Sequence, residues 1–207
     1  MIQKLVSTRL PTFAGEFQLS LFQTETDNKE HLALAMGDME DSEGVLVRVH
    51  SECFTGDVLG SYRCDCGEQL AQAMAMIAEN GQGVVLYLRQ EGRGIGLLEK
   101  LKAYNLQDQG YDTVDANLLL GHQADERDYT VAAQMLQSLG VKSIRLITNN
   151  PSKIDALEKL GVQVVGRTPL NPTLHPENEE YIRTKVNRMN HLIDLETPDP
   201  NENLTNG

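Results

Sequence analysis

The sequence predicts a mixed α/β (α+β) domain with helices packed on a sheet. Three observations carry that expectation. Early segments alternate apolar and polar residues as half-buried strands do, and from Gly67 onward apolar residues recur at helical spacing. Beyond that point strand and helix patterns take turns along the chain, which is how a sheet covered by helices is written in sequence.

Residues 16–22, 31–36 and 45–49 read as strands. Leu70, Met74, Ile77 and Ala78 then mark one face of a helix that Gly81 stops. Residues 84–88 form an uninterrupted apolar run suited to a buried strand, and a glycine-rich turn follows. Residues 95–106 and 130–139 read as helices, the second ending at Gly140, and residues 143–148 as a strand. Asn150 and Pro151 supply an N-cap and a first-turn proline for a helix to Leu160, with Gly161 behind it. A short strand over 162–165 and a last helix over 179–192 complete the pattern. No repeat and no linker interrupts it. One domain over 1–193 is expected, followed by an acidic, frayed tail over 194–207 that holds four acids, no base, two prolines and three asparagines.

The chain has 207 residues, 40% of them hydrophobic and 23% charged, enough to bury a substantial core. Its 18 basic and 30 acidic residues give a net charge of −12, which argues against coating nucleic acid or an anionic membrane. A small anion remains compatible, because a local group of Arg and Lys can hold a phosphate inside an acidic protein. No apolar run reaches the roughly 18–20 residues of a membrane span. The first residues lack the apolar core of a signal peptide, so the expected location is cytoplasmic.

Cys53, Cys64 and Cys66 fall within 14 residues. An odd number of thiols in a reducing compartment reads as metal ligation rather than disulfide pairing. Thiolates are the soft donors that zinc selects, and three protein ligands leave a fourth position open, as in catalytic sites. Gly67 is expected to let the turn after Cys66 close. Three ordinary buried thiols, or a structural site completed by His50, are the competing readings. A zinc ion with three thiolates carries a net charge of 2 − 3 = −1 and acidifies water less than a three-histidine site, so it needs a base or a cation nearby. His50, Glu52 and Arg63 are at hand in sequence.

Three stretches look built for an anion. The first, Arg48, Val49, His50, Ser51 and Glu52, ends a strand and runs into the first cysteine. The second, Gln90 to Gly96 with Glu91, Gly92 and Arg93, leaves a strand and opens a helix. Its glycines miss the last position of a dinucleotide fingerprint. The third, from Thr148 to Lys153, repeats the strand-to-helix arrangement with a lysine in the first turn. Each is also compatible with an ordinary capped turn. Asp125, Glu126, Arg127 and Asp128 precede a helix, where acids commonly act as caps and Arg127 as a surface ion pair.

Taken together, Arg48-Val49-His50-Ser51-Glu52-Cys53, Cys64-Asp65-Cys66-Gly67, the run from Arg89 to Leu97, Asp125-Glu126-Arg127-Asp128 and the run from Leu146 to Pro151 resemble the GTP cyclohydrolase II family. The resemblance covers roughly residues 1–193. It implies a zinc-dependent hydrolase that opens the imidazole ring of GTP, releases formate and diphosphate, and yields 2,5-diamino-6-(5-phosphoribosylamino)pyrimidin-4-one for riboflavin biosynthesis. It further implies one zinc per subunit, Mg²⁺ with the triphosphate, GTP as the small-molecule partner, and a homodimer.

Position by position, the resemblance assigns Cys53, Cys64 and Cys66 to the metal. It assigns Arg48, Val49, His50, Ser51, Glu52, Gln69, Glu91, Gly92, Arg93, Thr113, Thr148 and Lys153 to the nucleotide. Tyr104 falls near the reaction centre, Asp125 matches a proton acceptor, and Arg127 a nucleophile at the α-phosphate. On physical grounds Arg127 is as well suited to stabilising charge there, because guanidinium stays protonated far above neutral pH. No dihydroxybutanone phosphate synthase domain is expected, since nothing precedes the first strand. Two other classes compete. A zinc base deaminase shares the His50-Ser51-Glu52 half of its signature but requires a P-C-x-x-C that is absent here. A zinc module binding nucleic acid would want four ligands and a basic face.

Overall fold

The computed structural model describes residues 2–25, 28–123 and 125–195; most of the expected tail, from position 196 on, lies outside the described residues. The chain opens with β1 (Ile2–Thr12) and β2 (Gly15–Thr24), an antiparallel hairpin, and β3 (Glu30–Met36) pairs with β2. Then come β4 (Val45–Ser51), the short α1 (Phe54–Asp57), α2 (Cys66–Asn80) and β5 (Gly83–Leu88). A 3₁₀ turn (Glu91–Gly94) leads to α3 (Gly96–Gln107), α4 (Thr113–Leu119) and α5 (Thr130–Ser138). The chain continues with β6 (Ser143–Ile147), α6 (Pro151–Lys159), β7 (Gln163–Thr168) and α7 (Glu179–Met189).

The seven strands form one sheet in the order β1-β2-β3-β5-β4-β6-β7. Its first part is antiparallel, while β5, β4, β6 and β7 run parallel. From β4 the chain goes first to a neighbour on one side, β5, and then to the neighbour on the other, β6. The carboxyl ends of β4, β5 and β6 therefore open beside a topological switch point, the usual place for a ligand crevice in such sheets.

The sheet is covered on both faces. Val45, Val47 and Val49 of β4 pack with Leu86, Leu146, Ala132, Met135 and Leu157, which places α5 and α6 on one side. Leu46 and Val85 pack with Ala73, Met74 and Ile77 of α2 on the other. Burying Met74 and Ile77 contributes roughly 1.5–3 kcal/mol each and seats the first turn of α2 beside the end of β4. Because side chains alternate along a strand, Arg48 and His50 share the α2 face with Leu46.

The expected elements appear with ends displaced by a few residues. Asn150 caps α6 by accepting from the Ser152 amide at 3.0 Å, with Pro151 in the first turn. Gly81 ends α2 in the left-handed region at φ 73°. Three elements were not expected, the first of them the one-turn α1, which no apolar period marks. β1 is exposed along most of its length, so no burial alternation marks it, and α4 is short, its start fixed by Asp112 accepting from the Val114 and Asp115 amides. Gly67 plays a different part from the one expected. It is not among the glycines with positive φ; a Cβ there would lie 2.3 Å from the Gly56 carbonyl oxygen. The constraint is a close backbone approach between α1 and α2.

Candidate metal centre and anion pocket

The thiol cluster is built where β4 ends and α2 begins. Cys53 follows β4, Cys64 lies in the loop before α2, and Cys66 is its first residue. The three Sγ atoms lie within 4.8 Å of one another, and the Cys53–Cys64 pair is 3.6 Å apart, too far for a disulfide. A Cβ on Gly56 would sit 3.0 Å from the Cys64 sulfur and 3.1 Å from that of Cys53, so the cradle closes only around a glycine. The sequence carried no signal for Gly56, because Cys64 and Cys66 approach it only once the loop before α2 has folded onto α1.

Two groups tune the cluster. The sulfurs of Cys64 and Cys66, then the Lys100 ammonium, pull the Cys53 thiol far below its usual range, while the partner thiols shift upward, Cys64 to about 11. Lys100 Nζ donates to Cys53 Sγ at 3.0 Å and to Glu91 Oε1 at 2.8 Å. Burial would lower the Lys100 ammonium, but the Cys53 thiolate and Glu91 hold it above its usual value. Sequence reasoning missed Lys100, which is 47 residues from Cys53 and reaches it only because α3 folds back over the site.

Asp57, at the end of α1, anchors the other side. It accepts from the Cys53 amide (2.9 Å), the Tyr87 hydroxyl (2.8 Å) and His50 Nε2 (3.0 Å). His50 is thus committed to Asp57 and is not a fourth member of the thiol group. Burial pushes the His50 imidazole below its usual pKa despite Asp57; Nε2 faces the carboxylate and Nδ1 has no partner.

Beside the sulfurs lies a pocket partly open to solvent. Arg48, Arg93, Lys100, Arg127, Lys153 and Lys185 line it against only two carboxylates, Glu52 and Glu91. This is the local cationic patch that an acidic protein needs to take an anion. Arg48 Nε, His50 Nδ1, Ser51 Oγ and His191 Nδ1 are buried there without partners, and buried polar atoms are normally paired. Gln69, Gly92, Thr113, Thr148 and Tyr104 also line the pocket, while Val49 faces the core behind it.

Each expected anion segment reaches this pocket from a strand end. After β4, Glu52 pairs with Arg89 at 3.1 Å, and burial raises its carboxyl above the usual range. After β5, Glu91 accepts from the Phe54 amide at 2.6 Å, while Gly92 and Arg93 both take left-handed backbone, φ 63° and 64°. The loop is therefore not a regular helix start. A left-handed Arg93 is a strained conformation of the kind found at functional loops. After β6, Lys153 Nζ donates to the Val49 carbonyl at 2.7 Å. Burial, then Arg48 and Arg127, hold that ammonium well below its normal pKa.

The stretch from Asp125 to Asp128 docks against the loop after β5: the Glu126 amide donates to the Arg93 carbonyl at 3.1 Å and the Asp128 amide to Gln90 Oε1 at 2.9 Å. Arg127 is no surface pair. Its side chain is 12% exposed, and it grips Asp125 through Nε at 2.8 Å and through Nη2. Burial works against both charges, yet the pairing lowers the Asp125 carboxyl and raises the Arg127 guanidinium. Tyr104 donates to or accepts from Thr55 Oγ1 at 3.1 Å, beside Cys53. Burial raises its phenol.

The fold and site define a mixed α/β domain that sets a three-thiol cluster beside a cation-lined pocket at the carboxyl ends of parallel strands. The chain belongs to the GTP cyclohydrolase II family, whose profile matches residues 3–169. A GTP cyclohydrolase-2 from Hahella chejuensis is 54% identical over 189 residues, covering 91% of both chains. A riboflavin biosynthesis protein RibBA from Phocaeicola vulgatus is 53% identical over 193 residues, covering 93% of this chain and 48% of that one. A RibBA from Salinispora arenicola is 56% identical over 196 residues, covering 94% and 47%. The chain spans about half the length of these RibBA relatives. Among the described residues no helix is long and apolar enough to cross a membrane.

Proposed function

We propose that this chain is a zinc-dependent hydrolase that opens the imidazole ring of GTP, releasing formate and diphosphate. One observation carries the reading: three converging sulfurs lie at the edge of a cationic pocket in which several buried polar atoms await partners. The donor set fits zinc. Zn–S bonds of about 2.3 Å in a tetrahedron put sulfurs about 3.8 Å apart, close to the 3.6 Å between Cys53 and Cys64. Cys53, Cys64 and Cys66 would hold the zinc, which would supply Lewis acidity for the ring hydrolysis.

The protein groups divide the remaining work. Lys100 offsets the negative charge of the thiolates, and Asp57 holds His50 and the Cys53 backbone in place. Arg48, Ser51, Gln69, Arg93 and Lys153 bind the nucleotide, with Mg²⁺ accompanying the triphosphate as part of the substrate. Arg127 acts as a charge stabiliser at the α-phosphate: its guanidinium is fixed by Asp125 and held more firmly protonated than usual, which disfavours attack through nitrogen. Asp125 orients Arg127 while both of its oxygens are taken.

The test is product analysis after incubating the zinc-loaded protein with GTP and Mg²⁺. Formate and diphosphate together are expected. Ammonia without formate would replace this reading with deamination, and no covalent guanylyl adduct should be trapped on Arg127.

A further inference from the structure

We propose that Lys185, on α7, is a positioning residue that orients Arg48 for the nucleotide through Asp65 and Gln69. The inference rests on the function proposed above and adds a residue from beyond the 3–169 segment that matches the family.

The links are continuous and buried. Lys185 Nζ pairs with Asp65 Oδ1, and Asp65 Oδ2 accepts from Gln69 Nε2 at 2.6 Å. Gln69 Oε1 accepts from Arg48 Nη2 at 2.5 Å, and Arg48 Nη1 donates to the Ile147 carbonyl at 3.1 Å. Lys185, Asp65, Gln69 and Arg48 are 6%, 1%, 8% and 6% exposed. The Gln69 amide satisfies both neighbours in one orientation only, with its oxygen on the cation and its nitrogen on the carboxylate. Asp65 in turn is fixed by the ammonium of Lys185, which lies 4.6 Å over the Tyr181 ring.

This arrangement decides where Arg48 directs its charge. Without Lys185, Asp65 is a buried carboxylate lacking a direct cation, and Arg48 is a nearby candidate to replace it. A guanidinium drawn toward Asp65 is withdrawn from the pocket, where Arg48 Nε now lacks any protein partner. Contacts at its C-terminal end hold α7 in position. Arg188 pairs with Asp112 and Asp115 beside and within α4, and the Leu192 amide donates to the Asn149 carbonyl at 2.8 Å.

The test compares Lys185→Met and Lys185→Arg with the wild type, each zinc-loaded, by steady-state kinetics and by equilibrium dialysis with GTP. Loss of an oriented, charge-assisted hydrogen bond corresponds to roughly a 10–150-fold weaker interaction. Lys185→Met is expected to raise KM and the GTP Kd by at least about tenfold in that range, with kcat changed far less, and Lys185→Arg to recover most of the loss. If Lys185→Met does not fold, Lys185→Gln, which keeps an N–H for Asp65 but not the cation, should still raise KM and the GTP Kd, by less than the full loss, and unchanged values would overturn the proposal. A lower Tm with wild-type KM and Kd would make Lys185 a structural residue and overturn the proposal. A wild type that binds GTP but releases no formate overturns the hydrolase reading alone, and the Kd ratio then decides the relay. A wild type that binds no GTP overturns both.

Discussion

Replacing Lys100 by Met should weaken metal binding by a calculable amount. The ammonium makes two short contacts, 3.0 Å to Cys53 Sγ and 2.8 Å to Glu91 Oε1, from a side chain only 11% exposed. A hydrogen bond to a charged partner in such a setting contributes about 1.5–3 kcal/mol, and each 1.36 kcal/mol is a factor of ten. The zinc Kd should therefore rise by roughly 10–150-fold. The loop should survive the change, because Glu91 keeps the Phe54 and Gly92 amides at 2.6 and 2.9 Å. The assay is titration of metal-free protein with zinc against a chromophoric chelator at fixed pH and salt. Lys102→Met is the control, since Lys102 lies on the same helix but pairs with Glu99 at the surface. A Kd for Lys100→Met within twofold of wild type would refute the idea that Lys100 balances the thiolate charge.

Gly67→Ala should cost about 2–3 kcal/mol by forcing α1 from α2, a Tm loss on the order of 5–10 °C for a domain of this size; an unchanged melting curve would show that the 2.3 Å approach is easily relieved. Asp125→Asn should lower kcat by about 10–100-fold with zinc content intact, through loss of charge-assisted bonds to Arg127, and a wild-type rate would remove Asp125 from that role. His191 should make stability depend on pH. Burial, then Lys185 and Arg93, depress its pKa to about 3 from the ordinary 6.5. Its contribution is complete above pH 6.5 and drains away as pH falls toward 3, since the unfolded chain takes up the proton first. Urea unfolding between pH 7 and 5 should show that slope, and His191→Gln should flatten it; parallel curves would count against it.

Strands with one clear buried face, and helices with a repeating apolar stripe, were legible from sequence because burial leaves periodic marks; in α6 the cap and proline Asn150 and Pro151 added a local one. β1 was not, because an edge strand exposed on both faces has no reason to alternate. α4 was missed because it is only seven residues long, too short for an apolar stripe to repeat. In the site, the cysteines and the three strand-end segments announced themselves as compact motifs. Gly56, Asp57, Lys100, Lys185 and His191 did not: Lys100 and Lys185 act on partners distant in the chain, and the contacts of Gly56 and Asp57, though closer in sequence, exist only once α1 and the loop before α2 have folded together. Gly67 illustrates the same limit from the other side: the residue was singled out, but its reason, a neighbouring backbone, is tertiary.

The most direct check of the central claim is zinc content and formate release measured on the same preparations of wild type and Cys64→Ala. One zinc per chain, with formate from GTP, is expected for the wild type, and both should disappear in the variant. Formate produced by a zinc-free Cys64→Ala protein would contradict the account.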